Sequence, residues 1–134
     1  QEWEAPLQPL DDGWSIDLSG AYLWPEEAER EWTRVIRLRD GEVIIRDRGA
    51  AVGAERTRIA LVCAGVPERT GDGILIPGRH GSRPLRLVHD AAEVVIETRA
   101  TDDPYLQDSW GNEVSRILFA PRRGVDSWEL RGRV

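Results

Sequence analysis

The sequence predicts an all-β protein, an antiparallel β-sandwich of about nine short strands. Three observations carry that expectation. Short runs rich in β-branched residues recur, each closed by Gly, Pro or Asp, and such spacing is typical of a sandwich. Apolar residues within the runs alternate with polar ones, as they do in a sheet with one packed and one solvated face. No segment carries the helical period over enough residues to make a long helix.

The runs read as strands in order. Trp14 to Ser19 opens the series, and Trp32 to Asp40 and Glu42 to Arg48 follow. Asp40-Gly41 between that pair suits a two-residue hairpin, because Asp-Gly tolerates the positive φ angles such a turn requires. Arg56 to Ala64 is next. Gly73 to Ile76 lies between Gly71-Asp72 and Pro77-Gly78, which supply turn chemistry on both sides. Leu85 to His89 and Glu93 to Arg99 are expected to pair through Asp90-Ala91-Ala92. Val114 to Ala120 and Ser127 to Arg131 complete the set. Pro25, followed by the Glu-rich stretch 26–30, suits one helical turn. Residues 1–12, with Pro6, Pro9 and Asp11-Asp12, read as a linker or N-terminal arm, and 13–134 as a single sandwich domain.

Alternation selects the expected core: Ile36 and Leu38, Val43 and Ile45, Ile59, Leu61 and Cys63, Leu85 and Leu87, Val94 and Ile96, Ile117 and Phe119, Trp128 and Leu130. Trp14, Trp32 and Trp128 fall within strands and are expected to fill it. Arg37, Arg39, Arg46, Arg48, Arg56 and Arg58 fall mostly on the wetter face.

Composition narrows the function classes. The 134 residues suit one domain with a real core. Every one of the 18 basic side chains is Arg, and the net charge is −6. That balance disfavours a general nucleic-acid binder, which needs a basic face. No window has the apolar length of a membrane helix. The single Cys excludes an internal disulfide, and Cys63, inside an apolar run, reads as a buried thiol. The start at Gln1, with no Met anywhere in the chain, suggests a cut from a longer polypeptide.

Candidate chemistry is sparse. His80 sits in a Gly-rich loop and His89 ends a strand, so neither joins the three or four ligands a zinc site wants. Thr101-Asp102-Asp103-Pro104-Tyr105 and Asp108 form an acidic, turn-prone stretch without the ordered spacing of a calcium loop. Asp17, Asp47 and Glu97 lie within or at the ends of strands, and Asp47 suits a structural role accepting hydrogen bonds. Gly-Ala-Ala-Val-Gly at 49–53 lacks the helix that a phosphate cradle requires. Six Trp and two Tyr are the richest supply for ligand contact, since aromatic faces stack on sugar rings and Arg pairs with carboxylates or sulfates. Trp24, Tyr105 and Trp110 lie in expected loops and are the candidates for carbohydrate contact. The residues themselves designate no catalytic group, metal ligand or cofactor site.

Four phrases in order add a resemblance. They are Asp17-Leu18 with Ala21-Tyr22, then Trp32-Thr33-Arg34, then Asp47, then Trp110-Gly111 leading to Arg116-Ile117. Together they resemble the C-terminal β-sandwich portion of heparinase II/III-like polysaccharide lyases, over residues 15 to about 120. The resemblance implies a bacterial parent, periplasmic or extracellular, with an α-helical toroid and a preceding β region. Such a parent cleaves uronic-acid-containing glycans, glycosaminoglycans among them, by β-elimination. Its catalytic and zinc-binding residues would precede this segment, so none is carried over, and Tyr22 is assigned packing. Two other readings stand beside it: a stand-alone carbohydrate-binding module using loop aromatics and Arg on an acidic polysaccharide, and a protein-interaction sandwich.

Overall fold

A computed structural model describes residues 4–21 and 30–134. Eleven strands and one short helix follow in the order β1 (Leu7–Leu10), β2 (Gly13–Asp17), β3 (Thr33–Arg39), β4 (Glu42–Arg48), β5 (Ile59–Ala64), β6 (Glu68–Arg69), β7 (Gly73–Ile76), β8 (Leu85–His89), β9 (Glu93–Ala100), α1 (Pro104–Trp110), β10 (Glu113–Ala120) and β11 (Ser127–Arg133). They form two antiparallel sheets. The larger has eight strands ordered β1-β2-β3-β4-β11-β8-β7-β6, and the smaller has three ordered β5-β10-β9. The all-β, sandwich-like architecture expected from the sequence is what the chain adopts.

The β3–β4 hairpin turns at Asp40 and Gly41, with φ of 53° and 73°. Both central residues are left-handed, which matches the twist of the paired strands. Leu38 pairs with Val43 and Arg39 with Glu42, so the register follows directly from that turn.

Several expectations are corrected. The stretch 90–92 is not a hairpin. β8 pairs with β7 and β11, whereas β9 pairs with β10, so the chain crosses there from one sheet to the other. The crossing is tied on both sides, by the Ala92 amide to the Ala120 carbonyl and by the Glu129 amide to Asp90. Two strands that pack face to face and two that pair edge to edge have the same local alternation, so periodicity alone does not separate them. The acidic stretch after Thr101 is helical over α1. Asp103 caps it by accepting from the Tyr105 amide, and Pro104 opens the first turn. Asp-Pro is a proper helix start, but seven residues are too few to display a period. Within the expected arm, residues 7–10 pair with β2 as an edge strand. The one-turn helix expected at 26–30 falls mostly outside the described residues.

The core lies between the sheets: Ile59, Cys63, Ile117 and Phe119 from the small one, and Ile74, Leu87, Trp128 and Leu130 from the large one. Phe119 packs against Trp128 with ring centroids 5.4 Å apart and edge-on against His89 at 5.1 Å. Trp32 and Trp128 are buried as expected, but Trp14 is 46% exposed, Leu38 65% and Val43 38%. These three point to the core side of the large sheet, beyond the reach of the small one. Eight strands at about 4.8 Å spacing are far broader than three, and the excess has no second layer among the described residues.

Candidate functional site

A concavity lies on the opposite face of the large sheet, the face turned away from the core. It is a groove of about 660 Å³ across β3, β4 and β11. The antiparallel register sets its floor in rows. Val35, Arg46 and Glu129 form one row; Arg37, Ile44, Arg131 and Val88 the next; Arg39, Glu42, Arg133 and Arg86 the last. Every second residue of each strand faces the same way, so β3 and β4 deliver Arg37, Arg39, Arg46 and Arg48 to one surface. The sequence places those four on the wetter face correctly. Arg56 and Arg58 do not join them, because they precede β5 in a loop.

Paired charges organise this surface. Asp12, in the β1–β2 turn, accepts from Arg37 at 2.5 Å and from Arg39 at 2.6 Å. Glu129 accepts from Arg46 at 2.5 Å and also bonds Arg131. Glu42 lies 3.1 Å from Arg131 and 3.6 Å from Arg133. The hydrogen bond from Arg39, joined by that from Arg37 and by the charge of both guanidiniums, holds the Asp12 carboxyl below the usual carboxylate range against the desolvation that opposes it. Burial works to raise Glu129, but its bonds to Arg131 and Arg46 outweigh it and the net shift is down. Arg131 is correspondingly raised by its hydrogen bond to Glu129. Arg48 and Arg86 have no acidic partner among the described residues. A surface of this kind meets an anion with forked N–H donors around an apolar strip of Val35 and Ile44.

Of the residues that carry the resemblance, Trp32, Arg34 and Asp47 meet elsewhere, at the core side of one end of the large sheet, whereas Trp110, Gly111, Arg116 and Ile117 lie on α1 and the small sheet. Arg34 grips the fully buried Asp47 with two bonds of 2.8 and 2.9 Å. The same guanidinium lies 5.9 Å from the centre of the buried Trp32 ring. The Trp32 amide is bonded by Ser19, and its carbonyl accepts from Leu18. Gly49-Ala-Ala-Val-Gly53 closes over this knot. Ala51 and Val52 are fully buried, and a Cβ on Gly49 would stand 2.0 Å from the Glu31 carbonyl oxygen. Gly111 takes φ 80° to end α1, and Ile117 is fully buried.

The remaining candidates are dispersed. Tyr105 is 88% exposed and Trp110 half-exposed, both on α1. They stand five positions apart on the helix, so they face about 140° apart. Trp24 lies outside the described residues, as does Tyr22. Asp17 accepts from the Ser19 amide at a strand end, and Glu97 pairs with Arg116 on the small sheet at 2.5 Å. Asp17 and Asp47 point to opposite faces, so no carboxylate pair of a glycosidase forms between them. Among the described residues no three His, Cys, Asp or Glu side chains gather as a metal site. His89 is pulled below the ordinary imidazole range by burial, while its Nδ1 accepts from the Ala91 amide. Burial pushes the Cys63 thiol up, as for an inert packed cysteine. No helix among the described residues is long and apolar enough to cross a membrane.

The groove residues that sequence reading missed are Arg131 and Arg133. Their signal was present, since Arg131 and Arg133 keep the two-residue spacing of β11. What was hidden is that β11 inserts between β4 and β8 and so brings them beside Arg46 and Glu42.

Fold and groove together define an all-β, two-sheet protein with an arginine-lined outer face. Compared with known proteins, the chain matches no family model and no curated protein.

Proposed function

We propose that this chain is a non-catalytic β-sandwich module of a larger polysaccharide lyase similar to the heparinase II/III-like enzymes, its parent acting on uronic-acid-containing glycans by β-elimination. The observation that carries this reading is the architectural use of the resembling residues. Trp32, Arg34 and Asp47 lock one sheet end, Gly111 ends the helix, and Ile117 lies in the core. Phrases that resemble the family's sandwich thus serve packing here, which is what a supporting module needs. The α-helical toroid and earlier β region of the parent would supply the base, the acid and any metal. The test is an elimination assay by ultraviolet absorbance of unsaturated uronate on heparin, chondroitin sulfate and alginate. The parent encoded by the full reading frame is expected to turn over one of them, and this chain alone none. Turnover by the chain alone, or a frame that encodes no helical toroid, overturns the reading.

The groove favours a second reading, a carbohydrate-binding surface for an acidic polysaccharide. Arg48 in the groove and Arg86 in the neighbouring hollow have no bonded carboxylate among the described residues, and the exposed rings of Tyr105 and Trp110 offer sugar platforms elsewhere on the surface. Calorimetric titration with alginate and chondroitin sulfate is expected to show binding that weakens with salt. Arg48→Ala and Arg86→Ala should each weaken it, whereas Trp24→Ala and Trp110→Ala separate an aromatic site from the groove. Affinity unchanged in all four variants removes this reading.

A further inference from the structure

Beyond the groove and independent of the lyase reading, the small sheet ends at an edge that no strand among the described residues pairs with. Its order is β5-β10-β9. The Arg69 guanidinium of β6 donates to the Val94 carbonyl of β9 at 2.6 Å, so β9 lies toward the β6 side of the large sheet. β5 is therefore the edge on the β1–β4 side; it starts near the Trp32 end of β3 and ends against Pro77 beyond β7, and the core side of β1–β4 that it borders is uncovered among the described residues. β5 reads Ile-Ala-Leu-Val-Cys-Ala, with no charge and no Pro. Edge strands are ordinarily blunted by such residues, and β9, the other edge, carries Glu93, Glu97 and Arg99. On the β1–β4 part of the large sheet the exposed Trp14, Leu38, Val43 and Leu7 all lie on the core side of their strands.

We propose that β5 accepts an added strand from a β-rich protein partner, which extends the small sheet and covers this apolar shelf. A strand placed about 4.8 Å beyond β5 pairs with the outward amides and carbonyls that no other described strand uses, and directs every second side chain onto the shelf about 10 Å away. A helix would cover the shelf but leave the β5 backbone groups unpaired. A second copy of the chain fits badly. Antiparallel β5–β5 pairing keeps both large sheets on the same side of the joined sheet, where the two overhangs collide. Charge specifies one end of the guest. Arg56 has no partner among the described residues, Arg58 bonds only backbone carbonyls, and Glu55 is taken by Arg123. These cations stand at the start of β5, so an antiparallel guest strand brings an acidic C-terminal end to them. The guest is an extended segment with alternating apolar residues and a terminal acid.

Selection from a displayed library of random short peptides tests this on the intact chain. Recovered peptides are expected to alternate apolar and polar residues and to end in Asp or Glu. Their binding should slow hydrogen exchange of the Ile59–Ala64 amides. Val62→Lys, at an exposed β5 position, and Leu38→Asp, on the shelf, should each weaken binding about tenfold. Circular dichroism checks that both variants keep the fold. An empty selection, helical or non-alternating binders, unprotected β5 amides, or binding indifferent to both folded variants overturns the proposal. So does a concentration-dependent dimer that protects β5 without peptide, which would make the occupant a second copy.

Discussion

Asp47 is the most consequential single side chain in the described structure. It is fully buried on a sheet, and its charge is met by both arms of the Arg34 fork. Removing one partner of such a pair strands the other, which costs more than the pair itself contributes. Asp47→Ala is expected to destabilise the chain by about 2–4 kcal/mol, the lower end reflecting that Arg34 keeps some solvent. Urea unfolding followed by tryptophan fluorescence measures it. The sequence suggested a structural Asp47, but not its partner, since residues 13 apart in the chain meet only because β3 and β4 pair. His89 supplies a pH dependence. Burial depresses its folded pKa, with Arg69 adding and Asp90 opposing. Between the folded value and the unfolded one, about 6.5, the unfolded chain binds more protons, so stability rises with pH there. Its contribution is complete above about pH 6.5 and is lost as the pH falls toward the folded value. Denaturation midpoints should drop on acidification in that window, and His89→Phe should flatten the drop. Asp12 and Glu129 have lowered carboxyl pKa values, so their contributions vanish only at more acidic pH.

Turns and links show how far local chemistry reaches. Gly41 takes φ 73° with no atom within 4 Å of a would-be Cβ, so Gly41→Ala meets only the left-handed penalty, about 1 kcal/mol. Gly49 takes φ 127° and would drive a Cβ into the Glu31 carbonyl at 2.0 Å. Gly49→Ala is expected to cost about 3 kcal/mol or more, because backbone rather than a flexible side chain must move. Thermal unfolding of the two variants side by side checks the contrast. The Asp40-Gly41 turn was legible because its geometry depends on two residues alone. The 90–92 crossing was not, because the partners of β8 and β9 come from distant parts of the chain. α1 was missed for a different reason: its capping signal, Asp103-Pro104, was present but the helix is too short to show periodicity.

At the scale of the molecule, the mismatch between eight strands and three governs burial. Alternation marks one face of every strand as apolar, yet only the part of that face beneath the small sheet is dry. Leu38 and Leu130 occupy the same side of the large sheet, one 65% exposed and the other 4%. Leu130→Ala should cost about 2–5 kcal/mol, whereas Leu38→Ser should change stability by less than about 0.5 kcal/mol. Equal losses measured by chemical denaturation would mean that the shelf is packed in solution. The same mismatch creates the β5 edge and its neighbouring shelf. It also explains why Trp14 is exposed although its strand pattern is that of a core residue.

By itself the sequence determined the fold class, the β3–β4 hairpin with its register, the short bracketed strand β7 and the sidedness of Arg37, Arg39, Arg46 and Arg48. Each depends on neighbours within a few residues, through turn chemistry or the two-residue period of a strand. Only the tertiary structure decided which strands share a sheet, that β11 carries Arg131 and Arg133 into the groove, that Asp47 has Arg34 for a partner, and which apolar side chains stay wet. Those outcomes depend on contacts between distant segments, where many pairings satisfy the same local pattern and the packing of whole layers selects one.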